Sequence, residues 1–253
     1  MLFCDTKGFL TMCVHGSIGV SRILMKMRRL HSLRLDTPAG IIEASVQPDD
    51  NGAEPVITVR NVPSFVSTID QHVMLNGRDT VFDIAFGGNF AALVDVERVG
   101  LEISLDRISD LRSFGDALLK EINRTMFVQH PTQPEIQGVT LAYFYQASER
   151  FSHVSNIVVF GNKQVDRSPC GTGTSAMLAA LVSRGRLALG QKCRFHSALG
   201  SEFVGHIGDH QDLCAGGYRF TAFNPVISAR SHITGINRLV FERSDPFKNG
   251  FLL

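Results

Sequence analysis

Cys170-Gly-Thr-Gly-Thr-Ser-Ala-Met-Leu-Ala-Ala-Leu-Val182 runs from a turn of small residues straight into a segment that is apolar on every side. A helix with no polar face over Ala176 to Val182 is one that threads the centre of a domain rather than lying on its surface. An earlier stretch echoes it. Aligned on cysteine, Cys13-Val-His-Gly-Ser-Ile-Gly19 puts Gly16 where Gly173 stands and Ser17 where Thr174 stands. Each cysteine therefore opens a small-residue turn into an apolar helix, and the repeat predicts two equivalent halves that each bury one helix in a sheet.

On either side of these segments the chain supplies the strands that such burial needs. After the first helix, which ends near the basic residues Lys26, Arg28 and Arg29, strand patterns fall at Ile41 to Val46, Val56 to Val59 and Val73 to Leu75, with Asn76-Gly77 turning into Thr80 to Phe86 as a hairpin. Ser104 is placed to cap a helix whose apolar positions Ile108, Leu111, Phe114, Leu118 and Ile122 recur every three or four residues. Further strands are expected at Val139 to Tyr145, Ile157 to Phe160, Arg219 to Phe223 and Leu239 to Glu242. A short strand or turn over Gly8 to Met12 delivers Cys13. The fold class is α+β, with strands outnumbering helices.

Composition narrows the function. The chain has 253 residues, 44% of them apolar and 19% charged, with 25 basic against 24 acidic side chains. That is enough apolar material for one large domain or two modest ones, and the charge balance argues against a disordered tail or an electrostatically driven nucleic-acid binder. The longest strongly apolar run, Ala176 to Val182, is far short of the roughly 20 residues needed to cross a bilayer. No basic segment leads into an apolar one at the start of the chain, so a cytoplasmic location is expected. Cysteines at 4, 13, 170, 193 and 214 are odd in number and never spaced Cys-x-x-Cys, which speaks against a disulfide framework and a structural zinc site.

Cys13 and Cys170 are the candidates for chemistry. At a helix N-terminus, unpaired backbone N–H groups and the positive end of the dipole stabilise an anion, so both thiol pKa values are expected to be drawn downward. If the halves face each other across a small substrate, one thiolate removes a proton from carbon while the opposing thiol delivers one to the other face, and the centre inverts. Gly171 and Gly173 leave N–H groups open to a substrate carboxylate. The competing reading is plain: a cysteine before a helix is usually a small buried hydrophobe, and Cys4, Cys193 and Cys214, which have no echo, are read as structural. No Lys follows the glycines, which disfavours a nucleotide loop. His206, His210 and Cys214 would line up as metal ligands only on a helix, and Gly208 interrupts them. Asn89, after Gly87-Gly88, reads as turn chemistry. Asp83 and Glu121 receive no catalytic role, and Lys26 to Arg29 is read as a solvated surface.

These same residues resemble a known family. Asp166-Arg-Ser-Pro-Cys-Gly-Thr-Gly-Thr-Ser-Ala176, preceded by Val159-Phe-Gly-Asn-Lys-Gln164, looks like the second active-site motif of the proline racemase family, and Met12-Cys-Val-His-Gly-Ser-Ile-Gly19 resembles its first. Thr37-Pro-Ala-Gly40, Asn61-Val-Pro-Ser-Phe65, Asp83-Ile-Ala-Phe-Gly-Gly-Asn-Phe90, Val128-Gln-His-Pro131 and Asp245-Pro-Phe-Lys-Asn-Gly-Phe251 extend the likeness over nearly the whole chain. The resemblance implies a diaminopimelate-epimerase-like fold of two pseudo-symmetric domains, each wrapping strands around a central helix. Residues 1–64 with 239–253 would form the first domain and 65–238 the second. It also implies a homodimer that needs no pyridoxal phosphate, other cofactor or metal, acting on proline or 4-hydroxyproline.

By the same resemblance Cys13 and Cys170 are the acid–base pair. His15 and its neighbours, with Gly171 and Thr172, offer backbone N–H groups to the carboxylate, and Asp166 holds the ring ammonium. Phe160 is an aromatic wall that favours proline over hydroxyproline, and Cys rather than Thr at 170 disfavours a dehydratase. The sequence departs from the family pattern in two places. Members carry a segment ahead of the first motif that includes a second aromatic, so domain one is expected to be incomplete. Val14 stands where the family has glycine, and its β-branched side chain is expected to stiffen the backbone and crowd the carboxylate or forbid a positive φ. The non-catalytic alternative is a scaffold that keeps the fold and has weak or no activity.

Overall fold

A computed structural model describes residues 1–5, 8–47, 54–75 and 77–250. The chain opens with a two-stranded ribbon, β1 (Phe3–Asp5) and β2 (Gly8–Leu10), and enters helix α1 (Val14–Arg28). Strands β3 (Ser32–Thr37), β4 (Gly40–Gln47), β5 (Val56–Arg60), β6 (Phe65–Leu75), β7 (Arg78–Phe86) and β8 (Phe90–Asp95) follow. Helix α2 (Ile108–Thr125) leads to β9 (Val139–Ala147), β10 (His153–Phe160) and β11 (Gln164–Val165). Helix α3 (Gly171–Ser183) precedes β12 (Cys193–Ser197), β13 (Glu202–Ala215) and β14 (Tyr218–Arg230). This is the α+β class expected, with three helices among the described residues.

The large sheet runs β3-β4-β5-β14-β13-β12-β10-β9-β8-β7-β6, with β11 attached to β10. Its last eight strands close on themselves. Ser64, just before β6, exchanges both backbone hydrogen bonds with Phe223 of β14, each 2.7 Å. The result is a barrel, and α3 lies inside it, buried continuously from Gly171 to Leu181. Two of its neighbouring pairs, β8–β9 and β10–β12, are parallel. Parallel neighbours need long crossovers: α2 supplies the first on the outside, and α3 supplies the second through the interior.

Small residues set how tightly the barrel grips its helix. A Cβ added to Gly205 of β13 would lie 2.8 Å from Leu178, one on Gly173 would strike the Tyr143 ring at 2.5 Å, and one on Gly87 would meet the Thr172 carbonyl at 2.1 Å. Leu178 is fully buried, so Leu178→Ala removes about 2–5 kcal/mol. Outside the barrel, α2 turns Leu111, Gly115, Leu118 and Ile122 inward at helical spacing, and Gly115 lets it approach Val159 and Phe144.

The first helix has a thinner cover. α1 buries Val14, Ser17, Ile18, Ser21 and Met25 and packs on β3, β4 and β5. Its last turn carries Lys26 and Arg28, as expected, and Arg29 ends it in the left-handed region at φ 54°. The strand β14 belongs to both groupings: its far end pairs with β5 while its length pairs with β13.

Three local expectations need correction. Ser104 does not cap α2. Its carbonyl accepts from Arg107 in a preceding turn, and the helix starts at Ile108 behind an N-cap, Arg107, that makes no side-chain capping bond. Leu239 to Glu242 is not a strand: Leu239, Val240 and Phe241 are 79%, 74% and 77% exposed and have no ladder partner among the described residues. A β-prone run becomes a strand only where another strand and a buried face receive it. Cys4 and Cys214 are exposed, so only Cys193 of the three cysteines read as structural packs in the core. In the expected hairpin, β6 and β7 pair in register from Leu75 and Arg78, while Asn76 lies outside the described residues. Among those residues no helix is long and apolar enough to cross a membrane.

Candidate active site

Cys13 is the N-cap of α1. Its backbone is extended (φ −144°, ψ 97°), and its sulfur accepts a hydrogen bond from the Gly16 N–H at 3.2 Å. A side chain on Gly16 would sit 3.3 Å from that sulfur, so a glycine keeps the approach open. Ahead of the thiol, the buried Asn89 amide donates to the Met12 carbonyl at 2.7 Å, and its oxygen accepts from the Thr11 hydroxyl at 2.9 Å. The turn between β7 and β8 thus braces the residue before the first thiol from 77 residues away.

Cys170 occupies the equivalent position before α3 with a different backbone. Its φ is +62° and ψ 98°, a conformation that costs a non-glycine residue about 1–3 kcal/mol and persists only where its surroundings over-determine it. Those surroundings are visible. The Cys170 N–H donates to the Ser168 hydroxyl at 3.1 Å, the Asn156 amide donates to the Pro169 carbonyl at 2.8 Å, and the Thr174 hydroxyl donates to the same carbonyl at 3.2 Å. The Thr172 hydroxyl lies 3.6 Å from the thiol.

The two helix N-termini meet. Val14 is buried, takes a helical conformation with no positive φ, and turns its side chain toward Gly171, where an added Cβ would lie 2.5 Å from the Val14 Cβ. The stiff residue therefore imposes no backbone conflict of the kind expected. One cavity of about 780 Å³ opens at this meeting point, and Cys13, Val14 and His15 line it together with Cys170, Gly171 and Thr172. Phe160, at the end of β10, and Asp166 line it too. All eight residues expected at the site thus face one cavity. His206, His210 and Cys214 do not gather: they sit along β13, where a four-residue step spans about 13 Å.

Electrostatics at the site depart from expectation in one respect. Burial raises the Cys13 thiol above its ordinary value; the Gly16 and His15 N–H groups oppose the rise, and the Asp166 carboxylate adds to it. Cys170 is pushed up further, first by burial, then by Asp166. The helix-terminal donors act downward as expected, but desolvation outweighs them. Burial would also raise the Asp166 carboxyl, yet it sits below its ordinary range because His15 and Ser168 hydrogen-bond to it. The Ser168 N–H and hydroxyl both donate to Asp166 Oδ1 at 2.8 Å, and His15 Nδ1 approaches the same oxygen at 3.5 Å.

Sequence reasoning missed Ser168, Asn156 and the bracing role of Asn89. A signal for Ser168 existed: Asp166-Arg-Ser168 is a frame for an Asx turn, and the following Pro169 holds Ser168 out of the helical region. Asn89 and Asn156 gave none, because their partners are remote in sequence.

The proline racemase family model matches residues 1–252. Proline racemase A of Trypanosoma cruzi is 38% identical over all of this chain, which spans 65% of that protein's length. Proline racemase of Clostridioides difficile is 37% identical, again over the whole chain and 76% of the relative. Among solved structures, a hydroxyproline epimerase from Agrobacterium vitis with bound trans-4-hydroxy-L-proline superposes with a TM-score of 0.87 at 31% identity, covering 100% of this chain and 73% of that one. With its diaminopimelate-epimerase-like architecture and both cysteine motifs at one cavity, the chain belongs to the proline racemase family.

Proposed function

We propose that this chain is an isomerase that inverts Cα of proline without a cofactor, using Cys13 and Cys170 as a two-thiol acid–base pair. One observation carries the reading: the two thiols, each at a helix N-terminus, line one cavity. In each turnover the thiolate takes the α-proton, electrons move into the carboxylate, and the opposing thiol gives its proton to the other face of Cα. The product is the mirror image, and the thiol and thiolate have exchanged places.

Each remaining group has a matching task. N–H groups at the starts of α1 and α3, from His15, Gly171 and Thr172, lack intrahelical partners and suit a carboxylate whose charge grows in the transition state. The Asp166 carboxylate suits the ring ammonium, whose positive charge would in turn relieve the rise that Asp166 imposes on both thiols. Phe160 supplies an apolar wall for the ring, which supports proline; the 4-hydroxyproline reading keeps the same chemistry and draws on the Agrobacterium vitis neighbour. The family resemblance further supports a homodimer in the cytoplasm and a division into residues 1–64 with 239–253 and residues 65–238.

A second reading, a scaffold that binds the ring amino acid with little or no inversion, is favoured by Val14, which fills space beside Gly171 where the family motif has glycine. Incubation with L-proline or trans-4-hydroxy-L-proline in D2O, following Cα deuteration and optical rotation, separates the readings. Loss of rotation that vanishes in both Cys13→Ser and Cys170→Ser is the expected result. No exchange at high protein concentration would leave the scaffold.

A further inference from the structure

We propose that Ser168 is a positioning residue that locks the second thiol and the Asp166 carboxylate into one unit. The inference rests on the two-thiol reading above. Its basis is a single buried hydroxyl that works in two directions, donating to Asp166 Oδ1 at 2.8 Å while accepting the Cys170 N–H at 3.1 Å. The Ser168 N–H adds a second bond to the same carboxylate oxygen. Between them Pro169 has no N–H to offer, so Ser168 is the hydrogen-bonding link from the carboxylate to the backbone at Cys170.

That link matters because of the conformation it holds. Cys170 stands at φ +62°, whereas Cys13 opens its helix in the extended region. The two half-sites thus differ in how their thiols are aimed: the first relies on ordinary N-cap geometry, the second on an unfavourable backbone angle that needs external restraint. Without the Ser168 hydroxyl, the Cys170 N–H is buried without its acceptor and Asp166 loses one of its donors. The bonds that aim the first thiol, from the Gly16 N–H to its sulfur and from Asn89 to the Met12 carbonyl, do not involve Ser168. A substrate would then meet one well-aimed thiol and one poorly aimed one.

This asymmetry gives the proposal a signature that a merely structural serine would not produce. Proton removal and return by Cys13 alone washes deuterium into one enantiomer without inverting it. In Ser168→Ala, inversion is expected to fall about 100-fold, the scale on which a misplacement of about 1 Å acts, while exchange from one enantiomer of proline in D2O falls less than about threefold. Ser168→Thr, which keeps the hydroxyl, is expected to restore the wild-type ratio. A ratio of exchange to inversion that does not change, or Ser168→Ala inversion within about twofold of wild type, would overturn the proposal. Should the alanine variant be insoluble, Ser168→Cys, similar in volume but a weaker donor, carries the same readout.

Failure of the parent reading is separable. If the wild-type chain inverts neither proline nor 4-hydroxyproline, site-resolved alkylation with iodoacetamide still decides: Ser168→Ala should alkylate Cys170 at least about fivefold faster with Cys13 unchanged. Equal rates at Cys170 would sink the Ser168 proposal independently of turnover.

Discussion

Val14 and Gly171 stand face to face at the first positions of α1 and α3, so closely that a Cβ on Gly171 would lie 2.5 Å from that of Val14. The contact sets the spacing of the two helix N-termini, and through them of the two thiols. Gly171→Ala is expected to destabilise the fold by about 1–3 kcal/mol through overpacking and to lower kcat/KM for proline more than tenfold. In a Val14→Gly background the alanine has room. A double-mutant cycle on thermal stability should therefore show a coupling of about 1–2 kcal/mol; additive losses would mean that the helices are spaced by something else.

Asn89 holds the Met12 carbonyl one residue before the first thiol. Asn89→Ala strands that buried carbonyl, at about 1–3 kcal/mol, and frees Cys13 to shift. Expected is a drop of about tenfold to a hundredfold in kcat, with faster alkylation of Cys13 than of Cys170, the reverse of the pattern predicted for Ser168→Ala.

Both site thiols lie above their ordinary value, with burial the larger cause and Asp166 a contributor. If, as proposed, one thiol acts as base in its ionised form, kcat/KM should rise with pH beyond neutrality, along a limb displaced to the alkaline side of an ordinary thiol. Asp166→Asn removes the carboxylate's share of the shift. The alkylation profile of Cys13 should then move to lower pH while KM for proline rises; a profile that stays put would show that Asp166 does not act on the thiol.

Stability should fall in alkali. The buried Cys193 thiol is pushed up to about 12 by burial, whereas in the unfolded chain a cysteine ionises near about 8.5. Above that lower value the unfolded state binds fewer protons than the native one, so the native state loses ground as pH climbs from about 8.5 toward about 12. The stability this thiol contributes is complete below the lower value. Melting temperature against pH should decline across this window, and less steeply in Cys193→Ala.

How legible the molecule was depended on distance along the chain. The echo of Cys13 and Cys170 put both thiols at helix starts, and the unbroken apolar face of Ala176 to Val182 placed α3 at the centre, because helix burial is written in local periodicity. Ring closure through Ser64 and Phe223 had no such mark, since a strand pattern says that a face is buried and not which strand will be its neighbour. The positive φ at Cys170 was equally hidden, as it is imposed by Ser168, Asn156 and Thr174 acting together. Thiol acidity was misjudged because helix-terminal donors can be inferred from position, but the depth of burial that opposes them cannot.

The enclosed helix constrains the order of assembly. Once Ser64 and Phe223 have zipped, α3 has no way in, so the ring must close around a helix already formed. That last contact joins positions 159 residues apart (223 − 64), and distant contacts of this kind are formed late and slowly. Completion of the cavity between the two thiols is thereby tied to the final step of folding, and a chain stalled before it would expose α3's apolar surface rather than a half-formed cavity. Pulsed hydrogen exchange should accordingly find the amides of α3 protected before those of Ser64 and Phe223.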